Sequence, residues 1–228
     1  MSLFPETVET DRLRLRRLSA DLLDPLSAYD VYAPTRSGTI AAETEYLSFD
    51  PHRTPKATAD FLADAAEKWE SGEGAVYAVL PDDDHDAYDG PAVEGRPYAG
   101  TTGLHLEWDR QVGGFGIHLR KPFWGRGYSG ERAAALLDLA FDVLDLEVTV
   151  VECLEGNKQS RRAIEKYVDR FGGRYEGRLR NEHIRDGEPT DAHRFSISRE
   201  EWAAAVDPDD GGTERPAIRY EWAGEGSA

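Results

Sequence analysis

One stretch constrains the fold more than any other. In FGIHLRKPFWGRGYSGERAAALLDLAF (115–141) a short strand runs into glycines at 125, 127 and 130, which open a helix. That helix carries one apolar stripe, Ala133, Leu136, Leu137, Ala140, Phe141 and Leu144, the spacing of a face packed on a core. VTVVEC (148–153) follows as a β-branched, buried strand. Strand, helix and strand over residues 115–153 make a crossover unit within a mixed α/β domain.

Around this unit the apolar residues keep time with secondary structure. Leu13 and Leu15 alternate with Arg12, Arg14 and Arg16, the period of a half-buried strand. Ser19 reads as the N-cap of a helix with Leu22, Leu26 and Tyr29 on one face. A second helix starts at Thr54 with Pro55 at its first position; Phe61, Leu62, Ala65, Ala66 and Trp69 form its stripe, and Ser71-Gly72 ends it. AVYAVL (75–80) is a strand, followed by an acidic excursion at 81–97. Tyr98 to Trp108 is the next strand, with Leu104, Leu106 and Trp108 on one face and His105 and Glu107 on the other. Asn157 caps a fourth helix, whose stripe includes Ala163, Ile164, Tyr167, Val168 and Phe171. RYEGRLRNEHI and AHRFSIS flank Asp186-Gly187 as a hairpin with a loop longer than two residues. The count is seven strands and four helices in a domain over 1–198. Residues 199–228 read as a polar tail, with AIRYEW (217–222) either one extra strand or disordered.

Composition tests this pattern. Leu, Ile, Val and Phe make only 46 of 228 residues, and the net charge is -17, the border of compositions that do not fold. The periodicity through nearly two hundred residues decides for a folded domain. So acidic a surface lacks the cationic footprint that a phosphate backbone needs, so nucleic acid is not an expected partner. No apolar run approaches the roughly 20 residues of a membrane span, and MSLFPETVET carries no signal-peptide core; a cytoplasmic protein without membrane contact is expected. Cys153 is the single cysteine, which excludes an internal disulfide and a cysteine-based zinc site. His52, His85, His183 and His193 have no metal-ligand spacing, so no metal is expected. Only five basic residues are lysines, at 56, 68, 121, 158 and 166. Abundant acid with so little lysine reads as adaptation to molar salt, where the Debye length is roughly 3 Å and charge steers no substrate.

The glycine turn has two chemical readings. Glycines let backbone approach an anion, and N–H groups at a helix N-terminus point at it, so a pyrophosphate-bearing ligand is expected. As spelled, Gly125-x-Gly127-x-x-Gly130 with Glu152 22 residues beyond also matches the nicotinamide-dinucleotide fingerprint. Three facts oppose that match. RKPFW separates the strand from Gly125, whereas the fingerprint's first glycine makes the turn at the strand end. GFGIHL is short and glycine-broken, unlike a central parallel strand. After Glu152 too little chain remains to complete a doubly wound sheet.

The text then resembles a known family. TDRLRLRRLS, TPKATADFLADAAEKWESG, AGTTGLHL, PFWGRGYSGE and NKQSRRAIEK occur in the order found in the GNAT superfamily of acyl-CoA-dependent N-acetyltransferases, and are similar above all to its RimJ/RimL-like branch. The resemblance spans about residues 7–198. It implies a mostly antiparallel central sheet of about seven strands with four flanking helices, and acetyl-CoA as co-substrate. By the same resemblance, the pyrophosphate would lie on Trp124, Gly125, Arg126, Gly127, Tyr128, Ser129 and Gly130, and the pantetheine would pair with the edge at Ile117 and Leu119. That strand would splay from 148–153, and a backbone N–H near Leu119 would face the developing oxyanion. KYVDRFGG departs from the family's usual text by a short insertion ahead of Gly172.

Acyl transfer to an amine needs a proton acceptor and a partner for the departing thiolate. Ser160, third after Asn157, is the expected thiolate partner, or else a first-turn capping residue. Asn157 is an N-cap, a cofactor amide contact, or both. For the base, His118, Glu107 and His105 are candidates, each also readable as a polar residue on a solvated sheet face. Tyr167 is an alternative proton donor. The implied function is acetyl transfer to a primary amine, a protein N-terminus or a small amine, in a ternary complex, by a monomer or homodimer. The alternatives are an acyl-CoA-binding regulatory module without turnover and a nicotinamide-dinucleotide-binding protein.

Overall fold

A computed structural model describes residues 2–82, 88, 90–185, 187–207 and 215–224. In chain order the elements are β1 (Thr7–Glu9), β2 (Leu13–Arg17), α1 (Pro25–Tyr32), α2 (Ile40–Thr44), α3 (Pro55–Ser71), β3 (Gly74–Pro81), β4 (Ala92–Val93), β5 (Arg96–Pro97), β6 (Gly100–Glu107) and β7 (Val112–Leu119). They continue with α4 (Tyr128–Asp138), β8 (Val148–Leu154), α5 (Lys158–Arg170), β9 (Arg174–Arg185), β10 (Glu188–Ser198), α6 (Arg199–Val206) and β11 (Arg219–Glu221). The main sheet runs β11-β1-β2-β3-β6-β7-β8-β10-β9, and β4 and β5 form a small hairpin. The chain divides into two units, one of residues 1–103, 117–128 and 218–228, the other of 104–116 and 129–217.

In the first unit β1, β2 and β3 are antiparallel neighbours, and β11 pairs with β1. Leu13 and Leu15 are buried as their alternation requires. α3 begins and ends where its punctuation says. The Thr54 side chain accepts from the Ala57 N–H, Pro55 takes the first turn, and Gly72 closes the helix in the left-handed conformation (φ 74). Its buried residues Leu62 and Ala65 join Leu18, Val31, Tyr32, Ala78, Leu80 and Tyr98 in one core.

The second unit holds a parallel pair. β7 and β8 run parallel from Val112↔Val148 to Gly114↔Val150. β8 is antiparallel to β10, and β10 to β9. α4 buries Ala133, Leu136 and Leu137, then widens into a π turn at Leu139–Val143, where the Leu144 N–H reaches back to the Leu139 carbonyl. Trp202 of α6 is fully buried, 4.9 Å from the Phe171 ring.

Several expectations are corrected. The main sheet has nine strands, not about seven: β1, three residues long, is too short to show a period, and β11 lies within the 217–222 segment read as one extra strand outside the seven. There are six α-helices rather than four among the described residues. α2 spans five residues, less than two turns. α6 hid in polar text, although Ser198-x-x-Glu201 spells the capping box that the structure forms. Ser19 is not the cap of α1. Asp24 is, accepting from the Leu26 and Ser27 N–H groups, and the buried face is Ala28, Val31 and Tyr32 while Leu26 is exposed. Trp108 leaves the strand for a 3-10 turn and is exposed, unlike Leu104 and Leu106. The β9–β10 pairing reaches Arg185↔Glu188, a tighter hairpin than expected, with Gly187 at φ 81. His85, Asp186, residues 83–87 of the acidic excursion and 208–214 of the linker lie outside the described residues.

Candidate active site

In the first unit the end of β7 builds the glycine loop. Lys121–Phe123 form a 3-10 turn with Pro122 inside it and Phe123 buried. The Trp124 indole N–H donates to the Leu119 carbonyl at 2.6 Å, which folds the turn onto the strand end. Behind the loop, an Arg12 guanidinium N–H donates to the Arg126 carbonyl at 3.1 Å, and the same group lies 5.3 Å from the Tyr128 ring. Tyr128 is buried, while Gly125, Arg126 and Gly127 are exposed. Gly125 (φ 76) and Gly127 (φ 84) hold conformations that other residues adopt only at a cost, and a Cβ at Gly125 or Gly130 would meet nothing within 4 Å. The backbone is held from one side and open on the other, and it opens α4. That shape fits a pyrophosphate on N–H groups. Ile117 and Leu119 on the strand before it are half-buried.

His118 is not on a solvated face. It is 4% exposed, and its Nε2 lies 3.1 Å from Oε2 of Glu43, a carboxylate as buried as itself. The other Glu43 oxygen, Oε1, accepts from the Lys121 N–H at 2.8 Å. Burial pushes the Glu43 carboxyl upward, but hydrogen bonds from His118, the Lys121 amide and Thr39 outweigh it and hold the group below its ordinary range. His118 Nδ1 is buried with no partner among the described residues. Aromatic rings wall the pair: Tyr32 is 5.4 Å and Phe49 5.5 Å from the His118 ring, and His52 stacks on Tyr32 at 4.8 Å. Burial, and then the His118 charge, lower the His52 pKa. Gly100 makes this packing possible, since a Cβ there would fall 2.0 Å from the His118 carbonyl oxygen, at φ +138. Glu43 carries no motif; in the sequence it is a lone acid with no partner in reach.

In the second unit Asn157 caps α5: its Oδ1 accepts from the Ser160 N–H at 3.0 Å, which sets Ser160 in the first turn. Glu107 and His105 lie on the exposed face of β6, and Glu107 is ion-paired with Arg110 at 2.7 Å. Glu152, the acid of the dinucleotide fingerprint, is held by His183 at 2.9 Å and by Arg194. Tyr167 is buried; burial raises its hydroxyl to about 12, against the pull of the Arg132 charge and a hydrogen bond with that side chain. Burial also raises the Cys153 thiol to about 11, a poor nucleophile. Among the described residues no three His, Cys, Asp or Glu side chains gather as a metal site, and no helix is long and apolar enough to cross a membrane.

Comparison with known proteins agrees with this architecture. A family model described as Acetyltransferase (GNAT) domain matches residues 12–167. The FsC-acetyl coenzyme A-N(2)-transacetylase of Aspergillus fumigatus is 31% identical over 98 residues, 41% of this chain, and the match spans 39% of that protein's length. A GCN5-related N-acetyltransferase from Brucella melitensis superposes with a TM-score of 0.66 at 24% identity, over 92% of this chain and 90% of that one. The microcin C7 self immunity acetyltransferase MccE, solved with acetyl-CoA and AMP, gives 0.68 at 14% identity over 86% and 98%. With the match covering residues 12–167, this chain belongs to the GNAT family of acetyltransferases.

Proposed function

We propose that this protein transfers the acetyl group of acetyl-CoA directly to a primary amine, a peptide N-terminus or a small molecule, within a ternary complex. The observation that carries the reading is the glycine loop, open at Gly125 and Gly130 and leading into α4. In this reading the N–H groups of residues 124–130 bind the pyrophosphate, and the edge at Ile117 and Leu119 pairs with the pantetheine. Asn157 contacts the cofactor besides capping α5. Ser160 donates to the sulfur.

His118 takes the role of base. Unlike Glu107, which Arg110 engages, it has an unpartnered ring nitrogen and a carboxylate that fixes its ring. Glu43 bonded at Nε2 puts the lone pair at Nδ1, where a proton from the amine is accepted, and it stabilises the imidazolium that results. The name of the Aspergillus relative, an acetyl-CoA transacetylase acting at N(2), supports nitrogen as the acceptor atom. Within the family we place the chain in the RimJ/RimL-like branch, on PFWGRGYSGE and NKQSRRAIEK, and in the cytoplasm of a salt-loving organism, on its -17 charge and five lysines. No metal, nucleic acid or membrane enters this function, and the active species is a monomer or homodimer.

A panel of peptides and small amines with acetyl-CoA in molar salt tests the reading by thiol release, alongside calorimetry of CoA binding. Release of one thiol per acetylated amine is expected. CoA binding with no acetylated product would leave a regulatory module, and binding of NADH without competition from CoA would leave a dinucleotide-binding protein.

A further inference from the structure

His193 of β10 is buried, 6% exposed, and side chains from three other segments converge on its ring. Its Nδ1 lies 2.9 Å from the Tyr175 hydroxyl of β9. Its Nε2 lies 3.2 Å from Glu155 Oε2, in the turn after β8, and 3.2 Å from an Arg161 guanidinium nitrogen in α5. The Arg161 guanidinium carbon is also 5.5 Å from the centre of the Tyr175 ring, which closes the cluster. All of these residues belong to the second unit. A ring nitrogen either accepts or donates. Nε2 therefore takes the Arg161 N–H when the ring is neutral and gives a proton to Glu155 when the ring is charged. In both states the bond ends on the segment 155–161.

That segment carries Asn157 and Ser160. It leaves β8 through Gly156 at φ 92, and the Glu155 N–H donates to the Asp191 carbonyl of β10 at 2.8 Å. His193, two residues further along β10, adds a side-chain tie to the same segment, and Tyr175 fixes the ring that makes it. We propose that His193 is a positioning residue, which through Nε2 holds segment 155–161 so that the Ser160 hydroxyl stands where the thiolate forms. His193 itself touches neither cofactor nor amine and moves no proton of the reaction. Slack of about an ångström at a reacting group costs roughly a hundredfold in rate, so a tie of this kind is visible in kcat.

This inference rests on the acetyl-transfer reading and on Ser160 as the partner of the sulfur. Two amide substitutions separate the ring nitrogens, since a glutamine amide reaches the place of Nε2 and an asparagine amide stops at that of Nδ1. With the amine that wild type acetylates, His193→Gln should keep kcat within about threefold, and His193→Asn should lose about tenfold to a hundredfold. On a Ser160→Ala background His193→Asn should cost less than about twofold more, because the two act as one unit. Equal kcat for the two amide variants would overturn the inference, as would an asparagine variant whose full loss persists without Ser160. A Ser160→Ala variant as fast as wild type would overturn it as well, with acetyl transfer intact. No acetylated amine from wild type would remove the transfer reading and this inference together. Should His193→Asn fail to fold, Tyr175→Phe at the exposed end of the cluster decides. It should lower kcat by about threefold to tenfold, one hydrogen bond's worth, and a wild-type kcat there would overturn the inference.

Discussion

Two buried charged side chains in this protein are solved in opposite ways. Glu43 in the first unit is sealed from water, but its two oxygens are taken by His118 and by the Lys121 N–H. Arg132 in the second unit is as deeply buried, yet two of its nitrogens have nothing to bond. A buried charge whose partners are all protein is an internal structural bond. One left incomplete keeps part of its desolvation cost. The difference separates a carboxylate that fixes the His118 ring from a cation held only by the Phe115 ring and Tyr167.

Removing one partner breaks the first case most severely. Glu43→Ala strips His118 of its bond and leaves a void, and should cost about 3 kcal/mol of stability by denaturant titration in molar salt. A loss under a few tenths of a kcal/mol would mean the pair is not sealed. His118→Ala should lower kcat by about a hundredfold, with CoA affinity unchanged, because it removes the base and not the cofactor loop. Gly100→Ala drives a methyl into the His118 carbonyl at a strained φ, at a cost of about 2 kcal/mol.

The elements that positioned these residues were mostly readable. α3 could be placed from Thr54, Pro55 and Gly72, and α4 from the glycines ahead of its stripe, because caps and periods are local signals. Asp24 before Pro25 was an equally local signal for α1, but the Leu22 and Leu26 spacing drew the start to Ser19. The side-chain partnerships were not readable. Glu43 and His118 are 75 positions apart, and only the packed fold brings them together. His118 itself was found, but its alternation with Phe115 put it on a solvated face; a second layer, α2 and the rings of Tyr32 and Phe49, covers that side. Arg132 falls in an alanine-rich stripe where one charge reads as helix surface.

Acid gives a gentler test of the paired cluster. Glu43 and His52 both have pKa values lowered by the fold, from ordinary values of 4.5 and 6.5. Each contributes stability that is complete above its ordinary value and is lost as pH falls through the lowered one. Melting temperature should therefore decline as pH drops below about 6.5, first through His52, which faces His118 and Thr58, and then through Glu43. A flat profile down to pH 4 would contradict the assignment. The smallest effect is expected at the unpaired charge. Arg132→Met should lie within about 1 kcal/mol of wild type, on the stabilising side, since it removes a cation whose burial is only partly offset and fills similar volume. A clear destabilisation would make Arg132 a structural residue and erase the contrast.

Direct transfer, with no acetyl group resting on the chain, is the claim on which these roles converge; the buried Cys153 thiol, raised to about 11, is no acyl carrier. Mass spectrometry of the intact protein and of an amine acceptor, after exposure to isotope-labelled acetyl-CoA, tests it most directly. The account predicts label on the amine only when acetyl-CoA and amine are present together, and an unmodified chain throughout. Label that appears on the chain without amine and then passes to added amine would contradict it.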